Sequence, residues 1–319
     1  MLMMKSNRPQ VSADVILNCQ VALALKTLGD RWSFLILREV FLGKHRFEAF
    51  RRRIGIARGT LTVRLNSLVE AGILQKIPYQ NLPTRHEYHL TKKGVDLYHL
   101  ALTAWHWEHQ WAKDQKDYTP LILTHNHCGK SMHPELRCAH CENIVKIWDV
   151  IYEPGSETNQ AEPIPPRFQR RSKTKSKHPK GVDTKLFHLA DIYGDRWSVM
   201  VVAALFFGLH RFDAIGNAIG IATNILADRL KQLVKSGILV REAYQNKPTR
   251  YEYKLTDKGR DLYGHTLMMH QWADKWIVDS DTPPLMLTHK LCGKPLHGVV
   301  VCSECSEELT PASVKFDFG

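Results

Sequence analysis

Gly29-Asp30-Arg31-Trp32 returns as Gly194-Asp195-Arg196-Trp197, and outward from this pair the two halves of the 319-residue chain run in register at an offset of 165 residues. His45-Arg46-Phe47 matches His210-Arg211-Phe212, Gly72-Ile73-Leu74 matches Gly237-Ile238-Leu239, and Pro83-Thr84-Arg85 matches Pro248-Thr249-Arg250. A solenoid unit runs to roughly 20–50 residues, so a period this long marks a duplicated domain.

Within one copy, apolar spacing dictates the elements. Val21, Leu25 and Leu28 recur at helical intervals before Gly29, and Phe34, Leu35, Leu37, Val40 and Phe41 mark a second, largely buried helix that Gly43 stops. A short helix over about Phe47–Arg53 follows, Gly55 turns the chain, and Leu61, Leu65, Leu68 and Val69 define one face of a helix ending at Gly72. Residues 73–90 read as a strand pair with a Pro-rich tip, and Thr91-Lys92-Lys93-Gly94 opens a long final helix through Trp111. Helices followed by a hairpin make a winged helix-turn-helix.

With the apolar face of the fourth helix inward, Arg58, Thr60, Thr62 and Arg64 are left for base edges and phosphates. The second copy offers Thr223, Asn224, Arg229 and Lys231 there, which implies two unlike half-sites. Arg64 and Arg229 are identical between copies, and phosphate contact and intramolecular pairing are equally compatible with them. Arg85 and Arg250 at the hairpin tips suit a minor groove or the backbone.

Cys19-x12-Trp32, Leu42-Gly43-x2-Arg46-Phe47, Leu61-Thr62-x-Arg64-Leu65, Ala71-Gly72-Ile73-Leu74 and Pro83-x-Arg85-x-Glu87-Tyr88-x-Leu90-Thr91 together resemble the HxlR-type winged-helix transcriptional regulators. The resemblance covers roughly residues 15–113 and 183–277. It implies a bacterial regulator that binds double-stranded DNA as a homodimer joined through terminal helices; two copies in one chain make an intrachain pseudo-dimer the alternative. Trp105, Trp107, Trp111, Trp272 and Trp276 fall on those helices and read as a packed seam. The resemblance also makes Cys19 a candidate redox sensor, with burial in a helix contact as the alternative, and it leaves room for a small-molecule or redox effector.

After each long helix comes His125-x2-Cys128-x9-Cys138-x2-Cys141, matched by His289-x2-Cys292-x9-Cys302-x2-Cys305 at an offset of 164 residues. Three thiolates and one imidazole close a tetrahedral zinc shell with no open position, so each repeat reads as a structural zinc-ribbon-like module holding one of two zinc ions per chain. His133 and His297 are alternatives for the fourth ligand.

The expected fold class is mainly α with small β-hairpins. Residues 12–117 form the first winged domain, 118–148 the first Cys/His ribbon, 149–182 a basic Pro-containing linker, 183–281 the second winged domain and 282–319 the second ribbon. Lys and Arg number 44 against 32 Asp and Glu, a net charge of +12 that suits a polyanionic partner. Seven basic residues against one acid lie between Gln160 and Lys180, in a stretch that reads as a solvated tether. No apolar run is long enough for a membrane span and no secretory leader is evident, so a cytoplasmic site is expected. The competing class is a zinc-containing interaction module whose winged helices make protein contacts. No catalytic triad order, phosphate-binding glycine loop or open metal site supports an enzyme.

Overall fold

Asp30 and Asp195 begin the helices around which each copy is built. The computed structural model describes residues 13–112, 121–155, 186–278 and 283–318. The first copy runs α1 (Ala13–Asn18), α2 (Gln20–Leu28), α3 (Arg31–Phe41), α4 (Phe47–Ile54), α5 (Arg58–Glu70), β1 (Leu74–Asn81), β2 (Thr84–Leu90), α6 (Lys92–Val95) and α7 (Tyr98–Ala112), followed by ribbon strands β3 (Leu121–His125), β4 (Ser131–Met132), β5 (Pro134–Cys138) and β6 (Val150–Pro154). The second copy has α8 (Phe187–Tyr193), α9 (Arg196–Phe206), α10 (Phe212–Ile219), α11 (Thr223–Lys235), β7 (Leu239–Asn246), β8 (Thr249–Leu255), α12 (Asp257–Arg260) and α13 (Tyr263–Trp276). Its ribbon strands are β9 (Leu285–His289), β10 (Lys294–Pro295), β11 (Gly298–Cys302) and β12 (Val314–Phe318). The basic stretch 160–180 lies outside the described residues.

Each copy is a winged helix-turn-helix. Leu61, Leu65 and Leu68 of α5, and Leu226, Leu230 and Leu233 of α11, are buried at helical spacing. The wings are antiparallel hairpins, β1 with β2 and β7 with β8. The expected continuous final helix is instead two pieces. Thr91 caps α6 by accepting from the Gly94 N–H, while its hydroxyl ties this turn to the Ile73 carbonyl at the end of the recognition helix. A side chain at Gly94 would put a Cβ 2.3 Å from that carbonyl oxygen. The chain therefore breaks after α6, and α7 leaves for the seam between copies.

A pseudo-two-fold relates the copies, marked where equivalent residues face each other: Asp30 opposite Asp195, and Leu136 opposite Val300. The tryptophans repeat it. Trp107 Nε1 donates to the Lys258 carbonyl at 3.0 Å and Trp272 Nε1 to the Lys93 carbonyl at 2.9 Å; Trp111 and Trp276 donate to Asp261 and Asp96 at 3.0 and 2.9 Å. These amphipathic rings bury their apolar bodies in the seam while each N–H keeps a partner across it. α2 packs on α13, and α1 reaches across to α10.

The ribbons are not separate modules. Strand β3 pairs with β12, β6 with β9, and β5 with β11, so the longest pairings all run between copies. Strand β6 occupies residues expected to begin the linker, because Val150 and Tyr152 alternate into the core while the strand pairs with β9.

The repeated Gly-Asp dipeptides meet where the backbones of the two copies bridge. A Cβ on Gly194 would lie 2.2 Å from the Ala190 carbonyl oxygen and 2.5 Å from Arg31 Cα of the other copy. Gly194→Ala should therefore destabilise the protein by at least about 2 kcal/mol, read by urea unfolding. Gly59→Ala, exposed in α5 with nothing near its would-be Cβ, should instead stabilise by about 0.5–1 kcal/mol.

Candidate nucleic-acid interface and metal centres

Asp30 accepts from the Trp32 and Ser33 N–H groups, and Asp195 from the Ser198 N–H, so each caps the N-terminus of its helix. The same carboxylates hold the recognition helices. Arg64 Nε lies 3.2 Å from Asp30 Oδ1, and Arg229 Nε pairs with Asp195 Oδ2. The arginine side chains are only 21% and 12% exposed. With Asp30 bridged to Asp195, the line Arg64–Asp30–Asp195–Arg229 joins one recognition helix to the other. Of the two roles open to these arginines from sequence, the structure places them in pairing.

The other expected contact residues lie outward. Arg58, Thr62, Arg85, Thr223, Asn224, Lys231 and Arg250 are exposed, and Thr60 is half-buried. Arg58 bonds Glu48 Oε1 at 2.6 Å with its guanidinium 5.5 Å from the Phe47 ring, and the Thr62 hydroxyl donates back to the Arg58 carbonyl at 3.0 Å. Sequence reasoning passed over Val63, which is 58% exposed on α5, because an isolated valine gives no polar signal; its counterpart is Asp228. Arg51 and Arg52 on α4 are exposed, and their counterparts Gly216 and Asn217 carry no charge.

The cysteines and histidines gather into two groups, each with ligand atoms within 4.8 Å of one another: His125, Cys128, Cys302 and Cys305, and Cys138, Cys141, His289 and Cys292. This corrects the expected division. The sets His125/Cys128/Cys138/Cys141 and His289/Cys292/Cys302/Cys305 do not assemble; each His-x2-Cys turn meets the Cys-x2-Cys turn of the other copy. Strand exchange is the cause. Pairing β5 with β11 sets Cys138 opposite Gly298 and Cys302 opposite Pro134, carrying each knuckle to the other repeat, where the Ala139 N–H donates to the His297 carbonyl and the Ser303 N–H to the His133 carbonyl.

The geometry suits a tetrahedral ion. Cys128 and Cys302 sulfurs are 4.0 Å apart and Cys305 Sγ is 3.3 Å from His125 Nδ1. In the second group Cys138 and Cys292 are 4.0 Å apart, with Cys141 and Cys292 sulfurs 3.4 and 3.5 Å from His289 Nδ1. Metal–sulfur bonds of about 2.3 Å and metal–nitrogen bonds of about 2.0 Å put tetrahedral ligand atoms roughly 3.5–3.8 Å apart. A backbone N–H bond from Lys130 lowers the Cys128 thiol pKa and hydrogen bonds at Asn143 lower that of Cys141, whereas burial raises those of Cys138 and Cys302. His133 and His297 stand outside both groups: His133 is 3.3 Å from Glu135, and His297 meets Gln271.

Cys19 is 1% exposed and its thiol donates to the Ile16 carbonyl at 3.2 Å. Burial pushes its pKa up to about 11.

The HxlR-like helix-turn-helix family model matches residues 27–116 and 192–281. The chain belongs to that family. Among its relatives, the uncharacterized HTH-type transcriptional regulator Rv3095 of Mycobacterium tuberculosis is 40% identical over 135 residues, 42% of this chain and 85% of that protein. The HTH-type transcriptional regulator YodB of Bacillus subtilis is 34% identical over 92 residues, 28% of this chain and 82% of YodB. The crystal structure of PA1607, a putative transcription factor, is 32% identical, covers 39% of this chain and 89% of its own, and superposes with a TM-score of 0.36. No helix among the described residues is long and apolar enough to cross a membrane.

Metal content separates the two ligand groupings. Replacing Cys128 and Cys305 by Ser removes one bound metal ion per chain if ligands are shared between copies, and both if each repeat holds its own. The Cys128→Ser/Cys138→Ser pair reverses the outcomes: both ions lost with sharing, one without. Elemental analysis of the purified variants should give one ion for the first pair and none for the second. For Cys19, alkylation at neutral pH should run about 100-fold slower in the folded protein than in urea, as its raised pKa requires; equal rates would contradict the burial.

Proposed function

We propose that this chain is a sequence-specific regulator of transcription that binds double-stranded DNA as a one-chain dimer, with α5 and α11 each reading a half-site. The observation that carries this reading is the pair of recognition helices tied together by Arg64–Asp30–Asp195–Arg229, with outward residues that differ between copies. Arg58, Thr60, Thr62 and Arg85 serve one half-site; Thr223, Asn224, Lys231 and Arg250 serve the other. Arg64 and Arg229 orient the helices that carry these contacts.

Each cysteine group binds zinc in a closed shell of three thiolates and one imidazole. Such an ion supplies folding energy rather than catalysis, because no coordination position is left for substrate. Residues of both copies hold each ion, so metal affinity and the association of the copies are linked. Redox response is part of the same reading: YodB has been solved in reduced and diamide-treated forms, and here Cys128, Cys141, Cys292 and Cys305 of the ribbons are the accessible thiols, whereas Cys19, Cys138 and Cys302 are buried.

Mobility shifts across a salt series test the DNA reading. Log affinity should fall against log salt with a slope steeper than about −3, reflecting several phosphate contacts. Arg58→Ala should weaken protection of one half-site and Lys231→Ala that of the other, each by about 3- to 30-fold. Arg64→Ala should chiefly lower stability, by about 1–3 kcal/mol. A flat salt dependence would favour winged helices that make protein contacts instead.

A further inference from the structure

The duplication supplies an internal control for every position, and at the wing tips the copies share a frame but not a side chain. In the first wing Gln80 Nε2 donates to the Leu82 carbonyl at 2.9 Å and the Thr84 hydroxyl to the Asn81 carbonyl at 3.0 Å. In the second, Gln245 Nε2 donates to the Lys247 carbonyl at 3.0 Å and the Thr249 hydroxyl to the Asn246 carbonyl at 3.1 Å. The strand registers agree as well, Gln80 with Arg85 and Gln245 with Arg250. One pinned loop therefore holds out Leu82 in the first copy and Lys247 in the second. Leu82 is 90% exposed, more than any other large apolar side chain among the described residues.

The difference continues down the hairpin. Ile77 of β1 is exposed where β7 carries Glu242, which pairs with Lys254 at 2.5 Å. The exposed Tyr79 and its equivalent Tyr244 lie beneath Arg46 and Arg211, 4.5 and 4.6 Å from the ring centroids, so this contact is common to both wings. The first wing thus ends in apolar surface and the second in charge. Cations rim the apolar tip: Arg85 is exposed three residues beyond Leu82, and Lys76 is exposed on β1. That rim selects a polyanion. An apolar side chain at the end of a thin hairpin, with cations beside it, is what a minor-groove wedge requires, because the apolar group enters a base step while the cations meet the flanking phosphates. A lysine on the same frame has its charge to offer and meets the backbone instead.

We infer that the first wing inserts Leu82 into the minor groove of double-stranded DNA, unstacking one base step and bending the duplex there, whereas the second wing, with Lys247, grips phosphates only. The inference rests on the proposed DNA binding and adds to it a deformation confined to one half-site. It carries a sequence preference without a base-edge contact. Pyrimidine–purine steps unstack most readily, so the step under Leu82 should be TA or CA.

The test uses the full-length metal-loaded protein and a duplex that it retains from a random-sequence pool. With 2-aminopurine in place of adenine at successive positions of the bound site, fluorescence should rise at least twofold on binding at one step only, and circularly permuted fragments should place a bend at that step. Leu82→Ala should remove the rise and the bend and weaken binding at least fivefold. Leu82→Lys, which installs the residue of the second wing, should also remove both, while the slope of log affinity against log salt steepens by about 1. Because Leu82 is exposed, both variants should unfold in urea as the parent does. Bound DNA with no rise at any position, or a rise that survives Leu82→Ala, would overturn the wedge and leave the proposed function standing. Unchanged DNA affinity in both variants would overturn it in favour of a protein contact on the apolar wing. A protein that retains no duplex from the pool would refute the proposed function and the wedge with it.

Discussion

The carboxylates of Asp30 and Asp195 each answer several demands at once. Each caps the helix it starts and clamps an arginine of its own recognition helix, while the backbones of the two aspartates bridge each other across the pseudo-two-fold. Breaking an ion pair to a mostly buried guanidinium leaves an uncompensated charge, so the pairing is strongly held, and here it transmits orientation as well. Without it, the seam would still pack apolar surface, but the angle at which α5 and α11 present their outer faces would be poorly defined. Gly194 allows the approach to Arg31 of the other copy, whereas Gly29 leaves room for the Leu25 carbonyl of its own helix, so both positions exclude a side chain.

The ribbons extend the same constraint. Strand exchange in β3–β12, β6–β9 and β5–β11 places ligands of opposite copies together, so a metal ion in either group would act as a cross-link between the halves. Release of an ion, by oxidation of its thiolates or by chelation, would loosen the seam, because Tyr152 of β6 and Leu287 of β9 pair across it in the exchanged sheet.

Much of this was legible in the sequence, and the limits have physical reasons. Leucine spacing in α5 and α11, the glycine stops and the wing signals are local, so the winged helix followed from one copy read alone. The eight metal-group residues were equally legible, since His-x2-Cys and Cys-x2-Cys are turn-sized motifs. Which turn meets which was not: both groupings satisfy the spacing, and only tertiary strand pairing selects the crossed one. The role of Arg64 and Arg229 was balanced for the same reason, because their partners lie more than 30 residues away in sequence. Strand β6 escaped because Pro154 and the basic run after it resemble a linker, although Val150 and Tyr152 alternate as a strand requires.

Native mass spectrometry after cutting the chain tests the central claim, that the two copies form one metal-tied unit within a single polypeptide. A protease site placed between residues 160 and 180 separates the halves covalently and leaves every exchanged strand and ligand in place. The cut protein should appear at the mass of one chain plus two zinc ions, with the fragments still associated. Fragments that separate under native conditions, each carrying its own zinc ion, would contradict the account.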